Sequence, residues 1–312
     1  MLPAMSGSIS TELTIATPAM DSVADAVRLA VSGHYLLPAD DEVRAVLQGV
    51  QTGQMSTEGL RIARRRGKLV GAIWVNVTAG RVATVWGPTL VPLEPSAIAD
   101  ALLDSQWPRL ASHGVRLAQA VIDVGSPPVR EHYLRHAFVH AADLVHMVAP
   151  RARFPAQPPE TGMEFLPYSA AQDARFGEVI QSTYEATLDC PALDGVRDLP
   201  DVLDGYRATG QFRADWWLLV RQDGCDVGCL LMTPYPQQRH AEIIYMGVVP
   251  QARGRRLGLA IARHAQWLAR RAKMKQLLLA VDAQNVPALA AYGDAGFTEF
   301  DRRSIYLKLL RR

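Results

Sequence analysis

Apolar positions recur along the chain at two spacings, one helical and one alternating, and the two types follow each other in a regular order. In the second half, Phe176, Val179, Ile180 and Tyr184 recur at helical spacing behind Ser169-Ala-Ala-Gln172, a capping-box pattern. A second short helix is expected near 199–209. Residues 216–221 read as a strand, Gln222-Asp223-Gly224 as a turn, and 225–233 as the returning strand of a hairpin that Pro234 and Pro236 should break. A third strand covers 241–249 and ends at Pro250. A long amphipathic helix then runs from about 256 to 272. Residues 276–281 are continuously apolar, as in a buried strand; 287–295 are helical, Gly296 caps that helix, and 300–309 form the last strand.

The first half follows a similar order. Helices are expected at 21–31, 98–110 and 128–137, and strands at 60–63, 69–77, 83–86, 116–124 and 144–148. A shift of 159 residues superimposes Asp123 on Asp282, Pro128 on Pro287, Tyr133 on Tyr292 and Phe138 on Phe297. These identities sit at matching strand, turn and helix positions, which points to a duplicated α/β domain with a mixed sheet. The proline-rich segment 151–160 reads as a linker between halves 12–150 and 161–312.

Composition changes this picture little. The chain has 312 residues, 49% of them hydrophobic and 21% charged, which is enough apolar material for two cores. No apolar run is long enough for a membrane span, so no membrane partner is expected. Residues 1–14 lack the basic and apolar stretches of a secretory signal. Cys190, Cys225 and Cys229 make no disulfide framework and no zinc spacing, so a cytoplasmic setting is expected. The net charge of +2 calls for no polyanionic partner, and Arg64, Arg65, Arg66 and Lys68 without interleaved aromatics read as a solvated face rather than a nucleic-acid site. His132 and His136 share i, i+4 spacing, but with no carboxylate partner evident they read as a solvated helix face and no metal is expected. The tryptophans Trp216, Trp217 and Trp267 read as core.

Charge is concentrated in one place. Residues 251–275 hold eight Lys or Arg and no Asp or Glu. The segment IIYMGVVPQARGRRLGLAIARHA (243–265) places an Arg/Gly-rich turn between a strand and an amphipathic helix. A helix start offers unpaired N–H groups and the positive end of the helix dipole, and glycine lets backbone approach an anion closely. The segment therefore reads as a phosphate cradle.

The pattern V-x-P-x-x-R-G-x-x-x-G in this segment resembles the acyl-CoA-binding motif of the GNAT (Gcn5-related N-acetyltransferase) superfamily. Arg253 falls on the family's Gln/Arg position, Gly258 on its last Gly/Ala position, and Arg256 where the family usually has glycine. LAVDAQNVPALAAYGDAGF (279–297) is similar to the family's second motif. The resemblance covers about 161–312. It implies two tandem GNAT-like domains, similar in architecture to the mycothiol synthase type. The N-terminal one is degenerate, because its loop after Pro92 has neither arginine nor glycine, carries Glu94, and has Ser126 at the Asn285 position.

The resemblance also implies a site. Acetyl-CoA would be held by Met246, Gly247, Val248 and Val249 on the strand, by Arg253, Gly254, Arg255, Arg256, Leu257 and Gly258 in the loop and helix start, and by Asn285. Tyr292 would protonate the leaving thiolate. Glu242 would take the acceptor's proton directly or through water, with His240, Glu185 and Asp189 as alternatives. Tyr184, Asp189 and Asp194 would contact the acceptor. Cys190 reads as incidental, since no base and orienting group stand near it in sequence. The expected function is transfer of acetyl to a small-molecule or peptide amine by a monomer or homodimer. The alternative is a CoA-sensing or protein-binding module without turnover.

Overall fold

A computed structural model describes residues 13–32, 40–53, 55–124, 127–193 and 195–310. In chain order the first half holds β1 (Leu13–Ala16), α1 (Val23–Ser32), α2 (Asp40–Gln51), β2 (Leu60–Arg65), β3 (Lys68–Thr78), β4 (Val82–Leu90), α3 (Ala97–Asp104), α4 (Trp107–Ser112), β5 (Leu117–Asp123), α5 (Pro127–Arg135) and β6 (Val139–Pro150). The second half holds β7 (Met163–Pro167), α6 (Asp173–Tyr184), α7 (Leu199–Ala208), β8 (Trp217–Gln222), β9 (Cys225–Tyr235), β10 (His240–Val248), α8 (Leu257–Arg271), β11 (Gln276–Asp282), α9 (Val286–Asp294) and β12 (Thr298–Leu309). The order of elements repeats, with α3 and α4 standing where the second half has the single helix α8. From β5 to β6 and from β11 to β12 the boundaries match at the 159-residue shift.

Contacts divide the chain into two compact units, and not at the expected linker. The first comprises residues up to Val77, Arg81–Val139 and Tyr306–Arg312; the second comprises Thr78–Gly80 and His140–Ile305. Nearly all of β6 therefore belongs with the second half, where it pairs antiparallel with β11 from Gln276↔Pro150 to Asp282↔Leu144. Segment 151–160 is not a free linker at its start. Arg151 donates to the carbonyls of Arg270 and Met274 at the end of α8, and Phe154 is buried in the core.

In the first unit β1 to β5 lie in sequence order, with β4 and β5 parallel over Val82↔Leu117 to Thr84↔Gln119. Its cores form around Trp74 with α1, and around Ile98, Leu102, Leu110 and Tyr133. The helix expected over 98–110 is interrupted at Ser105–Gln106. His132 and His136 are not a solvated face: their side chains are mostly buried against Asp100, at 3.6 and 3.2 Å. Helix α2 and the edge strands β1 and β7 went unread in the sequence.

In the second unit the strand order is β6-β11-β10-β9-β8-β7. Trp216, Trp217, Phe176 and the apolar run of β8 and β9 fill the core. Strand β9 runs on through Pro234 to Tyr235, because Pro234 lies opposite Ala241 in an antiparallel pair and the break falls only after Tyr235. Leu257, Ile261, Ala265 and Ala269 put one face of α8 into this core, while Arg263 and Arg271 stay outside. The capping box at Ser169 is not made. A short 3-10 turn over Ala170–Gln172 precedes α6, and no side chain caps it. Among the described residues no helix is long and apolar enough to cross a membrane.

Candidate active site

Strands β10 and β11 are parallel neighbours only from His240↔Gln276 to Ile243↔Leu279. Strand β9 stays with β10 as far as Val248, with a bulge between Ile243 and Tyr245. Beyond Ile243 the two parallel strands part. The edge of β10 facing the gap then carries backbone donors and acceptors with no strand partner, a ready template for an extended, amide-bearing ligand. A cavity of about 670 Å³ fills the gap. Tyr245, Met246, Gly247 and Val248 form one wall, and Val281, Asn285, Ala288 and Tyr292 the other. Mostly apolar walls with a few polar groups suit a ligand with a long thin arm.

The cavity runs to the start of α8. Pro250–Ala252 make a 3-10 turn, and Gly254 and Arg256 both take positive φ, +77° and +60°. That left-handed turn suits glycine, and an arginine there carries a backbone cost of about 1–2 kcal/mol. The N–H groups of Leu257, Gly258 and Leu259 open the helix and have no intrahelical acceptor, so the turn presents donors and a dipole end to the cavity. The three arginines do separate jobs. The Arg253 guanidinium donates to the carbonyls of Val248, Thr183, Glu185 and Ala186 at 2.8 to 3.1 Å, tying the loop to the end of α6. Arg255 donates to Gln222 and is not in the cavity wall. Arg256 lines the cavity but pairs with Asp294 at 3.1 Å, both side chains well exposed, so the pair itself contributes little.

The sequence profile of the acetyltransferase (GNAT) family matches residues 181–297, the span that holds the parted strands, the loop and both flanking helices. Over 96 residues the chain is 34% identical to a mycothiol acetyltransferase of Streptomyces bingchenggensis, covering 30% of this chain and 31% of that protein. The chain thus aligns with about a third of that relative's length. A GCN5-related N-acetyltransferase from Sphaerobacter thermophilus shares the fold at a TM-score of 0.68, with 18% identity and 96% of each chain covered. A tandem GNAT protein from the clavulanic acid biosynthesis pathway does so at 0.50 and 15%, covering 96% of this chain and 98% of its own. The repeated order of elements is therefore that of a tandem GNAT fold.

Within the matched span, the expected residues divide. Met246, Gly247, Val248, Arg253, Gly254, Arg256, Leu257, Gly258, Asn285, Tyr292 and Asp189 all line the cavity. Val249 lies below it, buried, donating its N–H to Val227. Gly247 is required by packing, since a Cβ there would lie 2.6 Å from the Thr183 side chain. The Asn285 side chain accepts from the N–H of Ala288 and so caps α9, which places the helix and with it Tyr292. Tyr292 is buried and its hydroxyl makes no hydrogen bond to the described residues; burial pushes its pKa above the ordinary phenol range, so it stands as a neutral donor.

Glu242 is not brought to the cavity. It sits one residue before the last pair of β10 with β11, beside Tyr235, and burial raises its pKa. Tyr184 lies behind the wall: its hydroxyl meets that of Tyr206 at 2.9 Å, and both rings pack on Tyr245. Asp194 falls outside the described residues. Burial and the neighbouring Asp189 push the Cys190 thiol up to about 12, which removes its thiolate at neutral pH. Sequence reasoning missed Thr183, Tyr245 and Asp282. Thr183 accepts or donates at 2.6 Å to the Tyr245 hydroxyl, and Asp282 holds the loop that carries Asp189. Asp282 was visible as a repeat identity, but only its partners in space give it a role.

Proposed function

We propose that the chain is an acetyl-CoA-dependent N-acetyltransferase whose second unit binds the donor and passes acetyl to a primary amine by direct attack. The observation that carries this reading is the gap between β10 and β11, open from the α8 start at one end to Tyr292 within. In the reading, the diphosphate rests on the N–H groups of Leu257, Gly258 and Leu259, within reach of the positive field of the arginine-rich turn. The free backbone edge of Tyr245–Val248 orients the pantetheine arm and its thioester. Holding donor and acceptor together supplies much of the rate. Tyr292 offers its hydroxyl to the departing sulfur. A thiol, at about 8.5, is a stronger acid than a phenol raised above 10, so this group stabilises the thiolate first by hydrogen bonding and then hands over the proton as the amine loses its own.

The first unit supports this division of labour. Its Tyr133 stands at the repeat position of Tyr292, but the hydroxyl is spent on the Gly87 carbonyl of β4. Its loop after β4 carries Glu94, paired with Arg65 at 3.0 Å, where an anion would need donors. We infer that this half binds no acyl-CoA.

Release of CoA thiol, followed across a panel of primary amines, tests the reading. Tyr292→Phe is expected to lower kcat about a hundredfold, the low end for loss of an acid, with acetyl-CoA affinity kept. Acetyl-CoA binding with no turnover on any amine would leave a CoA-binding module instead.

A further inference from the structure

Beyond the donor site, the mouth of the cavity holds a carboxylate whose surroundings leave it without a cation. Asp189 follows α6 and lines the cavity. Its Oδ1 accepts the N–H of Asp282 at 3.0 Å, at the end of β11. The Asp282 carboxylate answers by accepting the N–H of Cys190 at 3.1 Å and that of Gln284 at 2.9 Å. This two-way clamp fixes the loop against the strand end. Both Asp282 oxygens are occupied and the residue is 2% exposed, so it serves as the anchor. The Asp189 Oδ2 has no hydrogen-bond partner among the described residues.

The groups that couple to Asp189 are Tyr184 from α6, Tyr245 from β10, Asp282 from β11, Tyr292 from α9 and Cys190 beside it. Arg253 and Arg256 line the same cavity and Arg197 interacts with Tyr184, but among the described residues no cation forms an ion pair with Asp189. A half-buried anion beside a second carboxylate, walled by phenols, is poorly compensated and is matched by a bound ammonium group.

We propose that Asp189, held by Asp282, receives the ammonium group of the acceptor and takes its proton, so that Asp189 is a catalytic residue and Asp282 a positioning residue. This rests on the acetyltransferase reading above. The acceptor enters as R–NH3⁺ and gives one proton to the free Oδ2. The nitrogen lone pair then forms the C–N bond to the thioester carbonyl carbon and the C–S bond breaks. The second nitrogen proton ends on the sulfur by way of Tyr292, and Asp189 later releases its proton to solvent. Burial and the nearby Asp282 hold the Asp189 pKa above the usual carboxylate range, which suits a group that must accept and release a proton. The acceptor class that follows is a primary amine, cationic at neutral pH, without a carboxylate next to the nitrogen.

The test is steady-state thiol release by wild type and Asp189→Asn over pH 5–9, with acetyl-CoA affinity measured by calorimetry on both. The asparagine keeps the Oδ1 acceptor and so the clamp. The expected result is a kcat/KM lower by about 10²–10⁴-fold, loss of the acid limb that wild type shows, and unchanged acetyl-CoA affinity. Asp282→Asn is expected to shift that limb rather than abolish it. Equal rates and equal pH profiles in wild type and Asp189→Asn would overturn the assignment while leaving the enzyme reading intact. The same follows if Glu242→Gln removes the acid limb and Asp189→Asn does not. Wild type that binds acetyl-CoA but acetylates no amine would overturn both.

Discussion

At the scale of single residues, the site is built from groups whose local cost is offset elsewhere. Asp189 is the clearest case. Its folded pKa lies above its unfolded value, so between the two the folded chain binds more protons. Stability then falls as pH rises through that window, and the loss persists at neutral pH. Asp189→Asn removes the loss and is expected to raise Tm at pH 7, with the gain vanishing below the ordinary carboxylate range; thermal melts at both pH values check this, and a lowered Tm at pH 7 would contradict it. Gly247 shows the opposite balance. A Cβ there meets Thr183 at 2.6 Å, so Gly247→Ala is expected to destabilise by about 1–3 kcal/mol, seen as a lower midpoint in urea. Neither role is written in residue type alone. The family resemblance marked Asp189 and Gly247 as site residues, yet the reasons for both, a neighbouring carboxylate 93 positions away and a threonine 64 positions away, exist only after folding. Glu242 shows the same limit: its place on the strand was legible, but the point at which β10 and β11 part, which leaves it outside the cavity lining, was not.

At the scale of elements, the chemistry depends on one strand pair that stops pairing and one helix that starts beside it. The strands, the turn and the helix start were legible from sequence; the point at which the strands part was not. A proline ends β10, an Arg/Gly turn follows, and the apolar stripe of α8 begins at once, so local signals agree with the fold. What sequence did not show is how the loop is held. Arg253 was expected among the acetyl-CoA contacts and lines the cavity, and its guanidinium joins the loop to the carbonyl end of α6, three of its four hydrogen bonds reaching the segment that leads to Asp189 and the fourth the Val248 carbonyl. On the proposed function, Arg253 links the donor side to the acceptor side. Arg253→Ala is expected to weaken acetyl-CoA binding about tenfold and to speed amide exchange over residues 183–190. Faster exchange confined to the loop 250–256 would contradict that link. The edge strands β1 and β7 escaped notice because they are short and bury little, and helix α2 because its apolar positions are few among polar ones.

At the scale of the whole molecule, one order of elements has been used twice with different outcomes. The 159-residue repeat was legible because strand, turn and helix boundaries from β5 and β11 onward coincide. The division of contacts was not, because the proline-rich segment that looks like a boundary begins by docking Phe154 into a core. The two equivalent tyrosines state the difference between halves: Tyr133 closes onto a β4 carbonyl, whereas Tyr292 keeps its hydroxyl in an open cavity. The proposed function predicts one donor site per chain. Calorimetric titration of acetyl-CoA into wild type and Gly258→Glu tests this most directly. A glutamate in the first turn of α8 favours the helix dipole, and the space at Gly258 is open, its nearest contact being Ala291 at 4.0 Å, so the fold is kept while the cradle turns against an anion. The expected result is one site in wild type and none in the variant. Equal binding by both, two sites per chain, or no binding by wild type would contradict the account.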